Sequence, residues 1–189
     1  QASIDWFLRD GDTAVRSQNS PNADIFILDT PQIGIAKQMT NVGGATGTEA
    51  RVSLTANLLT PGVPSADVII TDLLPPGSTL VDDPESIGLE IRPAGSPAIV
   101  IDPDQLQVEV VDDAVDGQQL VRFTVRVDQL PAQAGRFDFI VDSFVVTKPA
   151  EPGIYLNRAH TFYDSATLSG QCFAGDYQTD DADVLRGDE

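Results

Sequence analysis

The sequence is poor in the residues from which metal sites, disulfides and nucleophilic triads are built. Its 189 residues include one cysteine and one histidine. One cysteine excludes an intrachain disulfide, and together with one histidine it cannot assemble a His/Cys zinc cluster. A serine or cysteine triad would have to use His160, which strand alternation places on an outward face, and no GxSxG motif is present. We therefore expect that the protein is not an enzyme.

Basic residues and long apolar runs are scarce as well. Eleven lysines and arginines stand against 29 aspartates and glutamates, which gives a formal net charge of −18. Nucleic acid and anionic membrane surfaces repel such a chain, so neither is expected as a partner. No apolar run approaches the roughly 20 residues of a membrane helix, and we expect no membrane insertion.

Alternation of apolar and polar residues is the dominant pattern that is present. It is clearest over residues 120–128, where Val121, Phe123, Val125 and Val127 alternate with polar residues. This pattern predicts a half-buried antiparallel strand. Similar strands are predicted over 51–57, 66–72, 106–111, 136–146 and 154–163, with turn residues between them. Strands spaced in this way predict an all-β fold, an immunoglobulin-like antiparallel β-sandwich.

The first 32 residues have a different pattern. Ile25 and Ile27 lie on one face of a predicted strand, and Phe26 and Leu28 lie on the other, so both faces require burial. We therefore divide the chain into an N-terminal strand extension, residues 1–32, and a sandwich with an acidic C-terminal segment, residues 33–189. The strand at 25–28 is the candidate assembly element, because it could complete the sandwich of a second copy.

Two charged residues share the register of apolar residues in predicted strands. Lys37 has the phase of Ile35 and Met39, and Asp72 has the phase of Ile70. An isolated buried ammonium or carboxylate is costly, so such groups are normally paired, change protonation state or take part in chemistry. The sequence therefore predicts a buried charge pair.

Three segments carry a family resemblance, IGIAKQMT, VSLTANLLTPGVPSADVIITDLLPPGSTLV and IYLNRAHTFYD. They resemble the bacterial conserved-repeat domain of unknown function eleven and, beyond it, the isopeptide-forming fimbrial domains of cell-surface proteins. The resemblance implies an extracellular, immunoglobulin-like module of a surface stalk, adhesin or filament. In some members a lysine on the first strand is bonded to an asparagine on the last, assisted by an acid. By motif position, Lys37 would be the amine, Asp72 the acid and Asn157 the amide.

The residue phases agree with these roles, because Asn157 shares the phase of Tyr155 and Ala159 and is also expected to point inwards. In a dry interior, desolvation lowers the pKa of a lysine and raises that of an aspartate, so a neutral amine and a protonated acid can coexist. Attack of the Lys37 amine on the Asn157 carboxamide would expel ammonia and leave an autocatalytic amide crosslink. The alternative is that Lys37 extends to water, Asp72 accepts backbone hydrogen bonds and Asn157 caps a strand end.

Acidic clusters supply the hard oxygen ligands that calcium prefers. Asp112, Asp113 and Asp116 form one such cluster, and calcium is the only cofactor that the sequence suggests. None of the clusters has the spacing of an EF-hand loop. The alternative is a solvated acidic surface that keeps the protein soluble.

Two functions follow from these observations. The first is a structural subunit or repeat of a cell-surface filament or stalk, which associates with copies of itself by strand exchange and is stabilised by the internal crosslink. The second is an adhesin or a calcium-dependent binding module whose loops recognise a ligand. The first predicts polymers, and the second predicts a monomer that ligand or calcium stabilises.

Overall fold

The computed structural model describes residues 4–6, 16–18, 33–44, 46–58, 62, 66–130, 135–164 and 178–186; for 4–6, 16–18 and 178–186 it describes the backbone alone. Twelve strands lie within these ranges. They are β1 (Ile4–Trp6), β2 (Arg16–Gln18), β3 (Ile33–Val42), β4 (Glu49–Leu58), β5 (Val68–Leu73), β6 (Leu89–Pro93), β7 (Ile99–Ile101), β8 (Gln107–Val115), β9 (Gln118–Val125), β10 (Phe137–Thr147), β11 (Gly153–Tyr163) and β12 (Gln178–Arg186).

The strands β3 to β12 form two five-stranded antiparallel sheets. One sheet has the order β3-β4-β10-β6-β7 and the other has the order β12-β11-β5-β9-β8. β1 and β2 pair with each other as a separate two-stranded sheet. Two short 3-10 helices, Pro84–Ser86 and Val127–Gln129, connect strands of the sandwich. The prediction of an all-β antiparallel sandwich is confirmed.

The core lies between the inner faces of the two sheets. Alternation produces it, because every second residue of β4 is buried, from Ala50 through Val52 and Leu54 to Ala56. From the other sheet, Phe123 on β9 meets Phe144 on β10, with ring centroids 5.7 Å apart and ring planes tilted by 42°. Side chains from both sheets thus interdigitate, as expected for a sandwich.

The six strands predicted from alternation are present, with bounds shifted by up to four residues. The prediction over 120–128 is wrong at its end. β9 stops at Val125, and Val127 lies in a 3-10 helix with 41% of its surface exposed. There the Val127 backbone N–H donates to Asp67 Oδ1 at 2.7 Å. A side chain thus accepts the hydrogen bond that the backbone of a neighbouring strand would otherwise accept.

Four strands were not predicted, namely β2, β6, β7 and β12. β12 lies in the acidic C-terminal segment, for which no strand was predicted, and it pairs with β11 from Gly153 to Thr161. Residues 25–28, the candidate assembly strand, lie outside the residues that the structure describes. The domain boundary at residue 32 therefore stays a prediction.

Candidate functional site

β3 and β11 bring the candidate site together where an edge of one sheet meets the other sheet. β3 is the edge strand of its sheet, and it packs against β11 and β12 of the opposite sheet. Along β3, Ile35, Lys37 and Met39 face inwards while Ala36 and Gln38 are exposed. The expected inward orientation of Lys37 is therefore confirmed.

The acid comes from β5, the central strand of the second sheet. Asp72 is completely buried and lies opposite Ala159 on β11 and Val121 on β9. Asn157 is two residues from Ala159 on the same face of β11, and it is also completely buried. Its neighbour Arg158 is exposed and His160 is partly exposed, as the alternation predicted. The side chains of Lys37, Asp72 and Asn157 thus occupy one inward-facing region.

The Lys37 ammonium and the Asp72 carboxylate are in direct contact. Lys37 Nζ donates to Asp72 Oδ1, and both side chains are fully shielded from solvent. The predicted buried charge pair is confirmed. The alternative in which Lys37 extends to water is wrong, because no part of its side chain is exposed.

Asn157 completes the cluster from the other side. Its Nδ2 donates to Met39 Sδ at 3.2 Å. A side-chain hydrogen bond with Asn157 also lowers the pKa of Asp72. Within the part of the chain that the structure describes, neither Asp72 Oδ2 nor Asn157 Oδ1 has a hydrogen-bond partner. Both atoms are acceptors as they stand. A proton on Asp72 would turn one of them into a donor. Most buried polar atoms in folded proteins have a hydrogen-bond partner, so these two require an explanation.

Burial raises the pKa of Asp72 above its ordinary value of 3.8, and this effect outweighs the opposing ones. The Lys37 charge, the hydrogen bond from Lys37 and the interaction with Asn157 each lower the pKa of Asp72. Desolvation is the largest cause because the carboxylate has no access to water. Burial therefore acts in favour of a proton on Asp72, and the neighbouring Lys37 charge acts against it.

These contacts place an amine, a carboxyl and a carboxamide together in a dry interior. A neutral Lys37 amine could attack the Asn157 carboxamide, and a protonated Asp72 could donate to its carbonyl oxygen. The roles of the three residues stay predictions, while their common location is a property of the structure.

Asp112, Asp113 and Asp116, the calcium candidates, lie at the hairpin between β8 and β9. Asp113 and Asp116 have positive φ angles of 54° and 48°, and Asp112 Oδ1 accepts a hydrogen bond from Gln119 Nε2 at 2.8 Å. Among the described residues, no group of three or more His, Cys, Asp or Glu side chains is arranged to hold a metal ion. Calcium binding stays a prediction, which thermal unfolding with calcium and with a chelator would test.

Sequence alternation did not reveal two further side-chain contacts. Lys148 follows β10, has 5% of its surface exposed, and donates from Nζ to the Gly44 carbonyl at 3.0 Å. Met39 was assigned to the core without a polar role. Neither contact has a local sequence signal, because each joins residues more than a hundred positions apart.

The fold is similar to those of several solved bacterial surface proteins. The full-length major pilin SpaD from Corynebacterium diphtheriae gives a TM-score of 0.50 at 13% identity, over 81% of this chain and 34% of that chain. The collagen binding subdomain of the Enterococcus faecalis surface protein ACE gives 0.46 at 18% identity, over 80% of this chain and 96% of that chain. BcpA, the major pilin subunit of Bacillus cereus, gives a TM-score of 0.46 at 12% identity, over 82% of this chain and 40% of that chain.

At these identities the likeness shows the fold alone, which is an immunoglobulin-like β-sandwich. No protein-family model and no curated protein matches the sequence. The likeness to the conserved-repeat domain is therefore a resemblance of sequence motifs. In the part of the chain that the structure describes, no helix is long and apolar enough to cross a membrane.

Proposed function

We propose that this chain is a structural domain of an extracellular, cell-surface filament or stalk, and that an amide bond between Lys37 and Asn157 locks its two sheets together. One observation carries the proposal: the ammonium, carboxyl and carboxamide of Lys37, Asp72 and Asn157 meet in a solvent-free cluster between the sheets. A buried ion pair alone is a weak source of stability, so an additional role for this cluster is reasonable. The pilin fold similarity agrees with the proposed location.

The reaction balances without a cofactor. The Lys37 Nζ–Asn157 Cγ bond forms and the Cγ–Nδ2 bond breaks. A proton from Nζ passes through the Asp72 carboxyl to Nδ2, which leaves as ammonia. The domain is its own substrate and turns over once.

Intact mass and peptide mapping of the purified full chain test the proposal. We expect a mass lower by one ammonia, with the peptides that contain Lys37 and Asn157 joined. Mapping is essential because the intact mass alone does not show which residue has lost ammonia. Lys37→Arg should abolish the joined peptide. Lys148→Arg, which alters the other buried lysine, is the matched control and should retain it.

Two results would contradict the assignment. Loss of one water with Lys37 joined to Asp72 would make the carboxyl the electrophile and remove Asn157 from the reaction. An unmodified chain would remove the crosslink altogether and leave an ordinary buried ion pair at Lys37 and Asp72.

We propose further that the chain associates with copies of itself through the apolar segment 25–28, which is predicted to be a strand. The proposal rests on the sequence, in which both faces of that strand are apolar. Replacing Phe26 and Leu28 together by serine should convert polymers into monomers in size-exclusion chromatography with light scattering. Asp29→Asn, at the end of the same segment, is the control. Polymers that survive the double replacement would exclude this strand as the assembly element.

A further inference from the structure

Met39 holds the amide nitrogen that would depart in the proposed reaction. Asn157 Nδ2 donates to Met39 Sδ at 3.2 Å. Met39 lies two residues after Lys37 on β3, on the same inward-facing side, and packs against the core. One strand therefore presents both the amine and an acceptor for the amide nitrogen. We propose that Met39 is a positioning residue for crosslink formation, an inference that rests on the proposed function.

The sulfur contact restricts rotation of the carboxamide. An asparagine side chain can exchange the positions of Nδ2 and Oδ1 by turning about its last bond, and the two orientations have opposite chemistry. With Nδ2 held at Met39, Asn157 Oδ1 is left available, and it has no other hydrogen-bond partner among the described residues. In the proposed reaction, a protonated Asp72 donates to that oxygen and polarises the carbonyl carbon for attack.

A thioether also suits the departure of the nitrogen. It accepts hydrogen bonds weakly and carries no proton of its own, so it orients Nδ2 without competing for the proton that must reach it. As the Lys37 Nζ–Asn157 Cγ bond forms and the Cγ–Nδ2 bond breaks, the departing ammonia separates from the Met39 sulfur, which holds it only weakly. A carboxylate at this position would retain the product and add a buried charge.

Norleucine incorporation gives the sharpest test, because the chain contains a single methionine. In cell-free synthesis with norleucine in place of methionine, a methylene replaces Sδ at residue 39, and any initiator residue is the only other change. Crosslinking is followed by quenching samples over time and measuring the joined Lys37 and Asn157 peptides. We expect formation to be slower by about three- to tenfold, the effect of losing one weak hydrogen bond, with the same final extent.

Three variants separate positioning from packing. Ile35→Leu is the matched control, because Ile35 lies two residues before Lys37 on the same face and also packs against the core. It should leave the rate unchanged. Met39→Gln supplies an amide oxygen at a similar reach and should crosslink faster than Met39→Leu.

The outcomes distinguish this inference from the proposed function. If the methionine-containing protein forms no Lys37–Asn157 bond, the proposed function fails and the inference fails with it. If that protein crosslinks and the norleucine protein does so at the same rate, the function stands and the role of Met39 is wrong. Equal slowing by Ile35→Leu would also overturn the inference, since it would reduce the effect to packing.

Discussion

At the scale of single residues, the sandwich contains three polar side chains at positions where its alternation requires apolar ones. Lys37 and Asp72 are fully buried and in contact, and Asn157 lies beside them. Taking both charges out of water costs several kcal/mol per ion, which their attraction offsets only when both partners are present. Removing one member of the pair should therefore lower the stability of the fold more than replacing both members by apolar residues.

Lys37→Met is expected to destabilise the fold more than the double variant Lys37→Met with Asp72→Leu. The single variant leaves a buried carboxyl without its cation, a loss of about 3–5 kcal/mol, whereas an apolar pair of similar volume is tolerated. Urea unfolding of the two variants measures the difference. Neither can form the crosslink, so the comparison does not depend on it. Equal stabilities would show that Asp72 does not depend on Lys37.

Asp72 also predicts the sign of a pH dependence. Its folded pKa is raised by burial, so as the pH rises past 3.8 the unfolded chain loses this proton first. Below pH 3.8, Asp72 therefore does not lower the free energy of unfolding. As the pH rises from 3.8 towards the folded pKa of Asp72, its burial lowers the free energy of unfolding progressively. The free energy of unfolding of the native protein should fall with rising pH relative to Asp72→Asn.

Denaturant unfolding of both proteins across the acid-to-neutral range measures this difference. Asp138→Asn, which removes an exposed carboxylate on β10, controls for the change in net charge. A native protein that gains stability relative to Asp72→Asn as the pH rises would mean that the ion pair outweighs desolvation at Asp72.

At the scale of secondary-structure elements, alternation predicts a strand wherever one face is wet and the other dry. It placed Lys37, Asp72 and Asn157 correctly because their neighbours in phase are apolar on strands of six residues or more. It could not identify β6 and β7, which are short and separated by the turn residues Gly95 and Ser96. It continued β9 to residue 128 because the 3-10 turn, where Asp67 accepts a hydrogen bond from the Val127 backbone, does not interrupt the alternation.

The contact between Asn157 and Met39 was beyond sequence reasoning for a different reason. Alternation gives the face on which a side chain lies, but the pairing of sheets across the core decides which inward-facing residues meet. β3, the edge strand of one sheet, packs against β11 and β12 of the other sheet. Hydrogen bonds across a sandwich therefore require the topology as well as the phase.

The two sheets are also joined by the ring contact between Phe123 on β9 and Phe144 on β10. Both rings are fully buried, so Phe144→Ala should cost about 3–5 kcal/mol through lost burial and a cavity. Val100→Ala on the edge strand β7, where 67% of the valine is exposed, should change stability by no more than about 0.5 kcal/mol. Chemical denaturation measures both. Similar losses would mean that the core does not lie between these sheets.

At the scale of the whole molecule, the net charge of −18 opposes the compact state, because folding brings like charges together. Salt screens such repulsion, with a Debye length of about 10 Å at 0.1 M and about 3 Å at 1 M. The melting temperature should therefore rise as sodium chloride is increased from a few millimolar. An uncharged osmolyte at equal osmolality is the control. A fall in melting temperature would show that attractive ion pairs dominate the surface.

The proposed crosslink would act on the whole molecule as well, since it joins β3 of one sheet to β11 of the other and closes most of the chain into a loop. In the loop-entropy model, a covalent bond that closes a loop of about a hundred residues stabilises the fold by about 4–5 kcal/mol, mainly by restricting the unfolded chain. Asn157→Ala should be less stable by that amount in urea unfolding. Its denatured chain should also migrate on gels as an open chain, without the altered mobility of a chain closed by a crosslink.

Thr161→Val is the matched control for Asn157→Ala. Thr161 is buried on the same face of β11 and donates to the Ile69 carbonyl at 3.0 Å, so this variant removes a buried hydrogen bond but not the crosslink. It should cost about 1 kcal/mol and leave the denatured mobility unchanged. A loss confined to about 1 kcal/mol in Asn157→Ala as well would place Asn157 among ordinary buried polar residues. A loss several times larger, with altered mobility, would require a covalent bond between the sheets.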